Sequence, residues 1–280
     1  MKHDKLLFLV VLASSSGVWA GDSLPLLPTY YPGAGETYAS VSLSRIDLKS
    51  ATTTYGSGIS TTSPNSTTRA DTTSAFIQYG LNETLRIGIT GSYVYGASSE
   101  PANTSNEATG WVSPSLSITK DIHLSSDEIA SVSLGLTPKS GNTTLNSNQS
   151  TSISGRYSRA LADDAWVSLT AGYIVQPGAR PETASTNVSF VKDFGQYAAS
   201  VGIGLSKTTD THQNLQSNTE RSMSYAFTAG ISGRMTQVWN WLAQYNYGTN
   251  TVHERLDSGS GYLDTRFRSN GITVSFLTRF

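Results

Sequence analysis

A chain of 280 residues with 20 acidic and 19 basic side chains, and a net charge of −1, offers no electrostatic footprint for nucleic acid or for an anionic membrane surface. Only 14% of its residues are charged, which is low for a soluble surface, and Ser, Thr, Gly and Asn fill the gap. There is no cysteine, so neither a disulfide nor a thiol can stabilise it or do chemistry.

The first segment reads as a removable export signal. Lys2 and Lys5 precede the apolar run Leu6 to Ala13, and Val18-Trp19-Ala20 offers small residues for cleavage near Ala20. The apolar run is well short of the ~20 residues a helical membrane span needs. Residues 1–20 are therefore expected to be a signal peptide. Residues 21–36 follow, with an apolar, Pro-rich stretch from Gly21 to Pro32 that serves either as a periplasmic tail or as an inserted plug.

From residue 37 to residue 280 the pattern alternates with a period of two. Leu85, Ile87, Ile89, Gly91, Tyr93 and Tyr95 form one such set. Ala165, Val167, Leu169, Ala171 and Tyr173 form another, as do Tyr197 to Leu205, Met223 to Ile231, and Ile272, Val274, Phe276, Thr278 and Phe280. Strands are predicted near 37–49, 71–81, 85–96, 109–120, 129–138, 150–159, 165–176, 184–192, 197–207, 221–233, 238–249 and 269–280. About twelve strands, an even number, fit an all-β, transmembrane, antiparallel up-and-down barrel in the outer membrane of a Gram-negative cell.

Connection lengths alternate as well. Short turns at 81–84, 160–164 and 193–196 separate polar stretches at 50–70, 97–108, 139–149, 208–220 and 250–268. Short periplasmic turns and long outer loops are the asymmetry of outer-membrane barrels. Residues 177–183 make a brief outer loop, and 121–128 makes a longer turn with room for one helical turn. Arg45 and Asp47 fit poorly, because they continue the outward face of Ala39, Val41 and Leu43. Either they stand at the lipopolysaccharide level or a bulge shifts the register.

Aromatic residues fall at two heights. Tyr79, Tyr157, Tyr197, Trp239 and Phe280 come at periplasmic strand ends, and Tyr93, Tyr95, Tyr173, Tyr225 and Tyr247 near outer ends. Two girdles around an apolar band are expected where amphipathic rings meet the headgroups.

The alternate face is the predicted lumen. It reads Ser, Thr, Gly and Asn, with Arg86, Arg156 and Arg279 as its charges, and Gln78, Asn187, Asn240 and Gln244 as neutral donors and acceptors. Side chains this small do not fill a barrel of about twelve strands, so a water-accessible lumen follows unless a segment plugs it. Such a lining suits neutral or mildly anionic solutes better than cations.

Three fragments carry a family resemblance. Phe76-Ile77-Gln78-Tyr79-Gly80-Leu81-Asn82-Glu83-Thr84-Leu85-Arg86-Ile87-Gly88-Ile89 resembles a strand–turn–strand hairpin of the outer-membrane transporters of the MetA-pathway of phenol degradation family, with Asn82 in place of Thr and Arg86 in place of Glu. Gly110-Trp111-Val112-Ser113-Pro114 is similar to that family's Gly-x-x-Asp-Pro element, with Ser113 for Asp. Ser133 to Gly141 resembles its Leu-Gly-x-x-x-Pro-Thr-Gly strand end. The resemblance covers residues 72–141 and implies a channel for small compounds, hydrophobic or aromatic ones among them. It brings no catalytic or binding residues with it.

Catalytic chemistry is sparse. His123 is expected in a periplasmic turn, and His212 and His253 in outer loops near Ser217, Ser258, Asp210, Glu254 and Asp257. A Ser-rich loop supplies such neighbours without a catalytic arrangement, and no metal or cofactor site is read from this spacing. Asn65, Asn103 and Asn142 begin Asn-x-Ser/Thr sequons that follow from composition alone. The leading expectation is a passive channel for small neutral solutes, not an enzyme. The alternatives are a surface adhesin or structural barrel working through the long loops, and an outer-membrane lipid-modifying enzyme. A soluble secreted β-sandwich is the structural rival. Expected partners are the outer-membrane lipids and lipopolysaccharide, a small-molecule solute, and the barrel assembly machinery, reached through the last strand and Phe280.

Overall fold

The computed structural model describes residues 33–56, 59–62, 66–100, 109–139, 149–176, 181–210, 217–235, 239–256 and 261–279. These form β1 (Thr37–Gly56), β2 (Ile59–Thr62), β3 (Ser66–Asn82), β4 (Leu85–Glu100), β5 (Gly110–His123), β6 (Glu128–Thr137), β7 (Ser150–Ala162), β8 (Ala165–Val175), β9 (Pro181–Asp193), β10 (Tyr197–Asp210), β11 (Ser217–Arg234), β12 (Trp239–Leu256) and β13 (Gly261–Arg279). Among the described residues there is no helix. β2 is a short arm folded onto the upper end of β1. The other twelve strands pair antiparallel in chain order, and β13 returns to β1 to close the barrel. Closure satisfies the backbone of every long strand without leaving an edge toward lipid.

The outward face is apolar through the middle of the wall. Val41, Leu43, Ile87, Ile89, Leu134, Leu136, Val201, Ile203, Phe227 and Ile231 are each between 42% and 64% exposed. A continuous apolar band of this extent is a membrane surface, not the exterior of a soluble protein. The soluble β-sandwich is thereby set aside.

Tight turns join the strands at one end, the periplasmic end by the asymmetry of outer-membrane barrels. After β3, the Asn82 side-chain oxygen accepts the amides of Thr84 and Leu85, both at 2.9 Å. After β9, Gly195 sits at φ +89° and donates its amide to the Asp193 carboxylate at 2.7 Å. A left-handed backbone there favours glycine. The expected turn at 121–128 is shorter than predicted. β5 runs on to His123 and β6 starts at Glu128, with the Leu124 amide bonded to the Glu128 carbonyl at 3.0 Å and no helical turn between.

At the opposite end the strands outrun their predicted limits. The stretch 50–70 is largely strand, through Gly56 and again from Ser66, and 250–268 is strand through Leu256 and from Gly261. β4 likewise continues to Glu100, and β10 to Asp210. The result is an uneven rim. β11, β12, β13, β1 and β3 have 18, 18, 19, 20 and 17 residues. β6 to β9 have 10, 13, 11 and 13.

No bulge underlies Arg45 and Asp47. The β1–β13 register runs without interruption from Tyr38 opposite Arg279 to Gly56 opposite Gly261. What changes is the polarity of the two faces. Low on β1, Val41 and Leu43 point out, and Ser40, Ser42 and Ser44 point in. Higher up, Arg45, Asp47 and Lys49 point out, and Ile46 and Leu48 point in. β13 inverts a step higher, since Ile272 outside still stands opposite Arg45, and beyond Asn270 the outward residues are Arg268 and Arg266 with Phe267 inside. Above the lipid the wall acquires the polarity of a water-soluble sheet.

Candidate functional site

The inner face divides into two kinds of lining. Along the middle of β6 to β10 the inward positions are small and polar: Ser131, Ser133 and Gly135; Ser152 and Ser154; Ser168 and Thr170; Ser185 and Asn187; Ser200, Gly202 and Gly204. Cross-strand hydroxyl pairs such as Thr119–Ser133 at 2.7 Å and Ser158–Ser168 at 2.8 Å tie neighbouring strands together. These hydroxyls satisfy one another within the wall.

In the periplasmic half a charged network crosses this lining. Arg86, 3% exposed, donates to the Asp121 carboxylate at 2.5 Å and to the Gln78 side-chain oxygen at 3.3 Å. Ser131 donates to the same Asp121 oxygen at 2.7 Å. Register explains the meeting: Asp121 stands opposite Ser131, and Arg86 opposite Thr119, two residues along β5 on the same face. Arg156 follows on β7 and donates to the Ser158 and Ser168 hydroxyls at 3.1 and 3.4 Å. A buried guanidinium with a carboxylate in bonding distance is electrically offset, which is what makes its burial tolerable. Asp121 is absent from the sequence-derived set because it falls in the span read as a turn. The inward series Ser117, Thr119, Asp121 carries the signal that would have found it.

Beside this network the lining turns apolar. Tyr38, Leu242 and Leu277 are almost fully buried and pack together, and the ring of Phe76 meets Tyr38 edge-on at 6.2 Å. Gly88 makes room for them, since a Cβ there would lie 3.1 Å from the Phe76 ring. Higher up, Leu48, Ala70, Val94 and Val252 are buried on the same side. The expectation of a lining with few large side chains therefore fails on β1, β3, β12 and β13.

The remaining predicted residues occupy inward register positions. Asn187 stands opposite Thr170 and Gly204. Asn240 stands opposite Arg234 and Leu277, and Gln244 opposite Gly230 and Thr273. The side-chain oxygen of Gln244 is buried and, among the described residues, accepts no hydrogen bond. The side chain of Arg279 lies outside the described residues.

On the outside, Tyr79, Tyr197 and Trp239 lie exposed at the short-turn end, with Tyr95, Tyr173, Tyr225 and Tyr247 toward the other. Tyr93 joins the upper set through edge-on contacts with Tyr95 at 5.2 Å and Trp111 at 5.1 Å. Trp111 and Tyr245 extend that upper set beyond the residues named from sequence. Phe280 and His212 lie outside the described residues. His123 ends β5 instead of occupying a turn. His253 sits within β12, not in a loop, and its Nδ1 is 2.5 Å from the Asp264 carboxylate on the outward face. Among the described residues no nucleophile bonds to that imidazole, and no group of metal-ligating side chains gathers.

No protein-family profile matches the chain. Over 90% of its length it is similar in structure to the COG4313 outer membrane channel from Pseudomonas putida F1, covering 99% of that chain at 13% identity and a TM-score of 0.59. It is also similar to the translocator domain of the autotransporter NalP from Neisseria meningitidis, with 97% of each chain covered, 12% identity and a TM-score of 0.50. These likenesses show the shared outer-membrane barrel fold. In sequence, 207 residues are 26% identical to the FAD-dependent monooxygenase yanF of Aspergillus niger, 68% of this chain and 35% of that protein. The chain thus spans about a third of the length of the curated relative it matches.

Proposed function

We propose that the chain is an outer-membrane channel through which small, largely neutral solutes pass down their gradient, hydrophobic and aromatic compounds among them. The observation that carries this reading is the divided lining. Small hydroxyl-bearing side chains line β6 to β10, and an aromatic–aliphatic wall stands beside them on β1, β3, β12 and β13. A surface with both characters accommodates a solute that has an apolar body and a polar edge. The Asp121 carboxylate offsets Arg86, so that guanidinium adds little net charge to the lining. The resemblance of residues 72–141 to the MetA-pathway transporters agrees with this reading, and the fold is the one found in the COG4313 channel.

Single-channel recording and solute uptake by proteoliposomes test it. Conductance together with faster uptake of small aromatic than of charged solutes is expected. A purified, folded barrel that neither conducts nor admits solute would overturn it. Recognition of the terminal strand by the assembly machinery belongs to the same proposal, and deleting Phe280 is expected to lower the inserted fraction in cells.

A further inference from the structure

Around the closure seam the outward face carries five cations, Arg45 at the upper edge of the lipid band and Lys49, Arg69, Arg266 and Arg268 at or above the outer tyrosines. Two are held by carboxylates across the β1–β3 ladder, Arg45 with Asp71 at 2.7 Å and Arg69 with Asp47 at 2.8 Å. The other three are different. Lys49 and Arg268 are direct register partners, and Arg266 faces the same side two residues along β13. All three are exposed, and among the described residues none has a carboxylate within ion-pair distance. The carboxylate nearest to them along β13, Asp264, is engaged with His253.

Like charges directly opposite one another destabilise a strand pair. An arrangement of three converging cations is therefore costly in isolation and stable with an anion between them. Its height identifies the anion. Tyr247 stands opposite Asn270, and Asn270 opposite Asp47. Lys49 and Arg268 lie two residues farther up, a step of about 6.6 Å along the strand. The outer tyrosine level marks the edge of the hydrocarbon, so the cations stand where the headgroups of the outer leaflet begin. The geometry points to Lys49, Arg266 and Arg268 as a docking surface for the phosphates of a phosphorylated glycolipid, the lipopolysaccharide of the outer leaflet. Guanidinium groups suit this role because they match phosphate oxygens with two parallel hydrogen bonds.

The test uses the full-length purified protein in neutral detergent. Binding of lipopolysaccharide and of its enzymatically dephosphorylated form is measured for the native protein, for a K49Q/R266Q/R268Q variant, and for K207Q, which removes an outward cation of β10 away from the seam. Native protein and K207Q are expected to bind equally. The triple variant is expected to bind at least about tenfold more weakly, because one hydrogen bond between charged partners is commonly worth that factor. The native protein is expected to lose the same factor toward the dephosphorylated lipid. Equal binding of the two lipid forms by the native protein would overturn the proposal, whatever the fold of the variant. So would unchanged binding by a triple variant that keeps its heat-modifiable gel mobility.

Discussion

One side of this barrel is tall and the other short, and the two sides are built on different principles. The short side, β6 to β9, spans little more than the lipid, with apolar residues outside and mostly Ser, Thr and Gly inside, Arg156, Trp166 and Val191 apart. On the tall side, β11 to β13 with β1 and β3, Tyr38, Phe76, Leu242 and Leu277 make the inner face apolar near the periplasmic end, and the outer face stays apolar only as far as the outer tyrosines. Above them charge moves outside, and Ile46, Leu48 and Phe267 move inside. Strand pairing is indifferent to this exchange, because the ladder is made by backbone groups. Side-chain polarity follows the solvent at each height, so one strand can serve two media in succession.

The largest test of this contrast removes the carboxylate from the lining. Asp121→Ala leaves Arg86 buried beside Gln78 alone among the partners named above, and a loss of about 3–5 kcal/mol is expected. Urea unfolding in detergent or lipid would read it; a loss below 1 kcal/mol would mean that water already reaches the guanidinium. Next comes the apolar side. Leu242→Ala should cost about 2–5 kcal/mol, since a fully buried leucine leaves a cavity. The same variant should raise single-channel conductance if that cluster narrows the lumen. On the small-residue side the signs reverse. Ser154→Trp should change stability by less than about 0.5 kcal/mol, as at an open surface, yet lower conductance. A large destabilisation there would show that the short wall is packed as tightly as the tall one. The smallest effect is at the periplasmic turn after β7, where Lys192 beside Asp164 at 2.6 Å holds that carboxyl below its ordinary range. A depressed folded-state value means that the contribution is present above the ordinary carboxylate range and disappears as pH falls through it. Asp164→Asn should flatten the acid limb of the stability profile slightly and leave neutral stability nearly unchanged.

Legibility in the sequence followed the same division. The strand predicted at 129–138 is Glu128–Thr137, and that at 165–176 is Ala165–Val175, because apolar and polar residues alternate there without a break. From the sequence alone the upper half of β1 reads as loop. Thr52, Thr53 and Thr54 have loop-like composition, and Arg45 and Asp47 break the apolar face. Nothing local reveals that β13 runs alongside, and that partner is supplied by residues more than two hundred positions away. The charged lining was half visible. Alternation points to Arg86 and Gln78, whereas Asp121 lies at a strand end where the sequence has the character of a turn. The apolar lining around Leu242 and Leu277 is not legible in the sequence, because each is interleaved with inward polar residues such as Asn240, Gln244, Thr273 and Ser275.

The exchange of polarity along β1 and β13 also bears on how the barrel closes. Joining residue 38 to residue 279 demands the most distant pairing in the chain, so it raises contact order and is expected to be the slow step of folding. A seam formed late must find its register unaided by a hairpin turn. Slipping it by one residue would set Arg45 and Lys49 toward the interior and Ile46 and Leu48 toward water, and would do the opposite damage below the tyrosines. The inversion thus works as an alignment mark, penalising every wrong offset at two heights at once.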